Sequence, residues 1–164
     1  MRKRLMLAAA AVLAALAFWR LWPLSFRAAT GIQEAQTLVA LAMVNRVEDA
    51  DPYFALYKLE EPREQDVRAI MDILEGGRYR QDLRNALPWF TYSAGSDMSE
   101  LNLHLFVQTA EGKGVSVYFA DETLMAVCRE PGAGYRLYHP TNRATLEDLA
   151  DYLRGHGEKE ESRP

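Results

Sequence analysis

Three features of the sequence predict an α+β fold behind an N-terminal membrane helix. A cationic start leads into an apolar run, two stretches carry apolar residues at helical spacing, and several short runs alternate apolar with polar residues. The alternating runs are joined by brief turns. The expected architecture is therefore an antiparallel meander sheet packed by two short amphipathic helices.

At the N-terminus, Arg2, Lys3 and Arg4 precede an apolar run from Leu5 to Trp19. Basic residues followed by an apolar segment route a chain into a membrane with its start on the cytoplasmic side. The run is about 15 residues, short of the roughly 20 that a straight membrane-spanning helix needs. One reading is an uncleaved signal-anchor extended through Leu21, Trp22, Leu24 and Phe26, with Arg20 snorkelling outward and Trp19 and Trp22 in the headgroup layer. A second is a cleaved signal peptide with Ala15-Leu16-Ala17 as the small-x-small site, which would make the protein secreted. A third keeps the chain in the cytosol with the segment as a buried helix. The aromatic sequence Trp19-Arg-Leu-Trp-Pro23 favours the anchor. A lipid anchor is excluded, because the single cysteine, Cys128, is far from the apolar run. The domain plan that follows is an anchor over 1–27, a connector over 28–36, an extracytoplasmic domain over 37–155 and a disordered charged tail over 156–164.

Within the domain, Thr37 to Val47 is apolar and free of turn residues, as a buried strand would be. Asp49-Ala-Asp51-Pro52 breaks it, and Tyr53 to Leu59 alternates, so the pair reads as a hairpin. Pro62 opens a helix whose stripe is Val67, Ile70, Met71 and Leu74, with Gly76-Gly77 as a left-handed stop. Residues 78–100 are the least regular, with an extended piece at Arg78–Leu83 and a loop at Ser93–Asp97. Four strands then follow at Leu101–Gln108, Val115–Ala120, Leu124–Arg129 and Tyr135–Tyr138. The last helix places Leu146, Leu149, Ala150 and Leu153 on one face, with Thr145 and Asp148 as a capping box and Gly155 as the stop.

Charge is divided unevenly. Residues 1–27 hold five basic residues and no acid, leaving 14 of the 19 basic residues against all 23 acidic ones, a net of −9. An acidic domain argues against nucleic acid and against electrostatic binding to anionic lipid.

No catalytic constellation emerges. His104, His139 and His156 lack the i+3 or i+4 spacing of a helical metal pair, and Cys128 has no second thiol, so neither a metal nor a cofactor is expected. There is no Gly-x-Ser-x-Gly elbow and no glycine-rich phosphate loop. Cys128 shares a strand face with Leu124 and Ala126 and reads as a core thiol. The pairs Asp49/Asp51, Glu60/Glu61 and Asp121/Glu122 fall in turns or at a helix start, where carboxylates satisfy backbone donors. One cluster stands out as a binding candidate: Trp89, Phe90 and Tyr92, beside Pro88 and ahead of Gly95. Large aromatics on a loop serve recognition, and equally fill the core of a small domain.

The strand preceding the Val67-x-x-Ile70-Met71-x-x-Leu74 helix, the Leu101–Gln108 and Val115-Ser-Val-Tyr118 strands, and Gly134-Tyr-Arg-Leu-Tyr138 running into the last helix form a recognisable order. Over residues 37–153 it resembles a group of uncharacterised small membrane-anchored or secreted extracytoplasmic domains of Gram-positive bacteria. The resemblance implies no activity and no site residue. The expectation is a non-catalytic, membrane-anchored extracytoplasmic binding or accessory module of the bacterial envelope, touching the membrane through residues 5–26 and an envelope protein partner through its aromatic loop. The alternative is an extracytoplasmic hydrolase with a site near residues 78–104, for which a pocket grouping Asp97, Glu100 and His104 would be the sign.

Overall fold

The structure, a computed structural model, describes residues 6–7, 9–12, 14–15, 18, 22–33, 35–48, 51–92, 101–109, 112–130 and 132–162. A short helix α1 (Phe26–Thr30) leads to β1 (Ala35–Glu48), β2 (Asp51–Leu59), helix α2 (Glu64–Gly76) and β3 (Tyr79–Gln81). A 3-10 turn (Leu83–Ala86) precedes β4 (Leu101–Thr109), β5 (Gly114–Asp121), β6 (Leu124–Cys128) and β7 (Arg136–Pro140), and helix α3 (Ala144–His156) and β8 (Glu158–Ser162) complete the order. Among the described residues, eight strands form one sheet in the order β3-β7-β6-β5-β4-β1-β2-β8, with every pairing antiparallel. The α+β class expected from the alternating runs is observed, and β4 to β7 are consecutive neighbours.

The two longer helices do more than cover the sheet. Helix α2 links β2, near one edge, to β3 at the other, and α3 links β7 back to β8. Both lie against one face of the sheet. There Ile70, Met71 and Leu74 of α2 and Leu146, Leu149 and Leu153 of α3 are buried with Leu103, Leu105, Val107, Val117, Phe119 and Met125 of the strands. Fully burying each such side chain contributes about 1.5–3 kcal/mol.

The helix ends differ from expectation in instructive ways. Helix α2 begins at Glu64, after Pro62, with Arg63 at its N-cap, and Asp66 reaches back so that its Oδ2 accepts the Arg63 backbone N–H at 2.9 Å. Its closing residue, Gly77, has φ −79°, outside the left-handed region. Glycine is needed there because a Cβ would lie 2.8 Å from the Tyr79 hydroxyl. Helix α3 takes in Thr145 and runs through Gly155 to His156. Thr145 is therefore no cap, and the Asn142 side chain accepts the Ala144 N–H at 3.1 Å instead. Gly157 closes the helix, and glycine is required there because a Cβ would meet the Leu153 and Lys58 carbonyl oxygens at 2.8 and 2.9 Å. The charged tail expected to lack structure forms β8 along β2, with Lys58 paired to Glu160 at 2.6 Å. A charged strand suits a sheet edge, where it discourages further pairing.

Among the described residues no helix is long and apolar enough to cross a membrane. The N-terminal apolar run is described only in part, and its described residues between 6 and 18 are helical. Residues 1–5, with the basic cluster, lie outside the described residues. The last part of the extended anchor reading packs against the domain. Leu24 exchanges two backbone hydrogen bonds with Tyr79, both 2.9 Å, and Phe26 is fully buried with its ring 5.8 Å from that of Tyr79. Ala29, Thr30 and Ile32 of the expected connector are buried as well.

Candidate functional site

The loop of interest begins where β3 leaves the sheet. Tyr79 anchors the strand, since its buried hydroxyl donates to the Leu74 carbonyl at 2.9 Å and burial pushes its pKa up. Just past Gln81, the Asp82 N–H donates to the Leu137 carbonyl at 3.0 Å, and the chain then turns away. The Asp82 carboxylate is buried and accepts from Arg84 Nη2 at 2.6 Å, from the Arg84 backbone N–H at 2.7 Å and from His139 Nε2 at 2.8 Å. The Arg84 side-chain hydrogen bonds, aided by its backbone N–H and by His139, outweigh burial and hold the Asp82 pKa down at about 2. The other ring nitrogen of His139, Nδ1, lies 2.9 Å from the Thr123 carbonyl oxygen.

Asn85 supplies a second hook. Its Nδ2 donates to the Leu137 carbonyl at 2.7 Å and its Oδ1 accepts the Leu137 N–H at 2.8 Å, which imitates a strand pairing with a single side chain. Behind these hooks the loop folds across the sheet face opposite the long helices. Phe90 and Tyr92 pack there against a second apolar cluster of Tyr118, Ala120, Ala126 and Leu137. Tyr92 meets Tyr135 edge-on at 6.1 Å, and the Arg84 guanidinium lies 5.3 Å from the centre of the Phe90 ring.

The three aromatic candidates thus divide. Phe90 and Tyr92 are half-buried feet of the loop, whereas Trp89 is 76 % exposed. Leu83 and Leu87 on the same loop are also exposed, at 62 % and 40 %. Sequence reasoning passed over both leucines, Asp82, Arg84 and Asn85, and set His139 aside for lacking the spacing of a metal pair. The i, i+4 spacing of Leu83 and Leu87 was the available signal. The partnership of Asp82 with His139 left none, since the two are 57 residues apart.

His104 occupies the same sheet face farther along. Its Nε2 lies 2.5 Å from the Ser116 hydroxyl, the Tyr118 ring meets it edge-on, and burial lowers its pKa. A neutral imidazole accepting a serine hydroxyl resembles the base and nucleophile of acyl transfer. Both residues, however, lie within β4 and β5, each flanked by strands on two sides. Backbone N–H groups there are taken up by the ladders of β4 with β1 and β5 and of β5 with β6. Asp97 and Glu100, the other members of the hydrolase grouping, lie outside the described residues, as does the loop around Gly95. Cys128 is half-buried at the end of β6, with its sulfur 3.1 Å from the Glu130 carbonyl oxygen. Among the described residues, no group of three or more His, Cys, Asp or Glu side chains could hold a metal ion.

Compared with protein-family models, with curated proteins and with solved structures, the chain finds no match. The site therefore stands on its geometry.

Proposed function

We propose that this chain is a membrane-anchored extracytoplasmic binding or accessory module without catalysis of its own, which makes its contact through the loop 82–92. The observation that supports this most is the exposure of Trp89 on a loop held at one end by Asp82 and Asn85 and at the other by Phe90 and Tyr92. A large aromatic held ready on an ordered loop loses little conformational freedom on binding, which is how recognition surfaces gain affinity. Leu24 and Phe26 serve the domain, so the anchor in this reading is the apolar segment ahead of Pro23, with its start in the cytoplasm. Among the described residues, the hydrolase alternative draws on the His104–Ser116 pair.

Site-specific photo-crosslinking from position 89 in intact cells tests the proposal. A discrete adduct is expected. No adduct above that of an exposed position on α3, such as Asp148, would sink the role of the loop.

A further inference from the structure

We infer that what the loop 82–92 touches is the headgroup layer of the membrane that holds the chain's own N-terminal segment, so that the domain rests on the bilayer at its β3 edge. This contact presupposes the anchored reading above. It deepens that reading by naming the chemistry the loop meets: an interfacial lipid layer.

Chain reach carries most of the weight. Leu24 is tied to Tyr79 by a reciprocal backbone pair, so the position of the β3 edge follows that of Leu24. Trp19, where the apolar run ends, is five residues earlier. At 3.3–3.6 Å per extended residue, those residues span at most about 18 Å. The headgroup region on each side of a bilayer is itself roughly 5–8 Å thick. The β3 edge is thus confined close to the membrane surface whatever the orientation of the rest of the domain.

Direction narrows the geometry further. The Leu24–Tyr79 bridge is antiparallel, so the chain preceding Leu24 runs alongside β3 toward Gln81, the end from which the loop emerges. The arriving segment and the loop therefore share one end of the sheet edge. Both display apolar surface there. Trp22 is exposed and meets the Phe18 ring at 5.2 Å, and Leu83, Leu87 and Trp89 project from the loop. Single exposed apolar residues are ordinary on a soluble surface. Three on one short loop, whose root lies beside the point where the arriving segment joins, call for a partner. Tryptophan, with an apolar ring system and one N–H donor, is at its best in the headgroup layer.

Charge supports the same contact. The domain carries a net −9, which would keep it off an anionic surface if charge acted as a whole. Salt screens exposed charges beyond about 8–10 Å, so the local sign decides. Along residues 78–92 stand Arg78, Arg80 and Arg84 against Asp82, which is already bound to Arg84, and the nearby Glu75 is paired with Arg27. A basic rim around apolar side chains is the pattern that anionic lipid attracts.

The test uses the full-length chain with Trp19→Phe and Trp22→Phe, which leaves Trp89 as the sole tryptophan, in vesicles of phosphatidylcholine and phosphatidylglycerol with or without bromine on the lipid tails. Bromine near the headgroup end is expected to cut Trp89 emission at least twofold, and more than bromine near the bilayer centre. Unchanged emission, in vesicles that retain the protein through an alkaline carbonate wash, would overturn the lipid contact and leave the anchored reading intact. Release of the chain by that wash would instead remove the anchored reading, and the lipid contact with it. A diazirine placed at position 87 in native membranes gives the second readout. Phospholipid adducts are expected, and adducts to a protein with none to lipid would overturn the inference.

Discussion

Asp66 and Asp82 are both buried, each is bound to an arginine close in sequence, and each is held at a pKa of about 2, yet they secure very different parts of the molecule. Asp66 accepts from the Arg63 backbone and side chain at the start of α2, and from the Tyr152 hydroxyl of α3 at 2.8 Å. It joins two helices that Ile70, Leu74, Leu149 and Leu153 already hold against the sheet. Asp82 accepts from Arg84 and His139 at the root of a loop that Asn85 and two aromatic rings also hold in place. The same carboxylate chemistry is one contribution among many in the first case and a principal fastener in the second. Where apolar burial is plentiful, a buried ion pair adds specificity to a junction that packing has already made. Where burial is sparse, the polar contacts determine whether the segment is ordered at all.

Breaking the packing behind Asp66 should have the largest effect. Leu74→Ala removes a fully buried side chain and is expected to cost about 2–5 kcal/mol in a denaturant titration of the whole fold. Asp82→Ala should cost less overall, about 1–3 kcal/mol, because it leaves Arg84 and His139 without their acceptor. Its signature is regional: amide exchange should quicken across residues 83–90 while α2 and α3 stay protected, whereas Asp66→Ala should loosen the start of α2 and leave the loop unchanged. A loop that keeps its protection in Asp82→Ala would show that Phe90 and Tyr92 suffice. Asn85→Ala should follow at about 1 kcal/mol, with the same regional pattern.

Acid should erase both carboxylate contributions together. Each group's folded pKa lies below the ordinary value of roughly 4, so its stabilisation is fully present above that pH and is lost as pH falls from about 4 toward 2. Melting temperature measured across that window should fall steeply in the wild type, and less steeply in either alanine variant. The smallest effect should come from Trp89→Ser, expected to change stability by less than about 0.5 kcal/mol because the side chain is mostly in solvent. A larger loss would mean that Trp89 serves the fold.

Much of the architecture was legible in the chain. The helical stripes of α2 and α3 and the alternation in β4 to β7 mark elements whose side-chain periods are set by the local backbone. β8 escaped notice because a run of Glu and Lys has no apolar face to betray it, and it is a strand only because the edge of β2 is there to pair with it. Gly77 was legible as a stop, whereas Gly157 closes the last helix in place of the expected Gly155, and at each of the two another segment passes close by. In the loop, the sequence marked Trp89, Phe90 and Tyr92 as one cluster. Which of them would face solvent depends on how the loop crosses the sheet, and that is set by Asp82 and Asn85 reaching a strand more than fifty residues away.

By itself, then, the sequence determined the class of the fold, the spans of its two amphipathic helices and meander strands, and the uneven division of charge between its ends. These follow from properties of neighbouring residues: a period of 3.6 or 2 in apolar positions, and the placement of basic and acidic side chains. Only the tertiary structure decided the order of strands across the sheet, the joining of opposite edges by α2 and α3, the burial of Phe26 and the pairing of Leu24 with Tyr79. Hydrophobic spacing says which face of an element is buried and is silent on what covers it. That choice is made by contacts between distant segments, and many partners of similar shape satisfy the same spacing equally well.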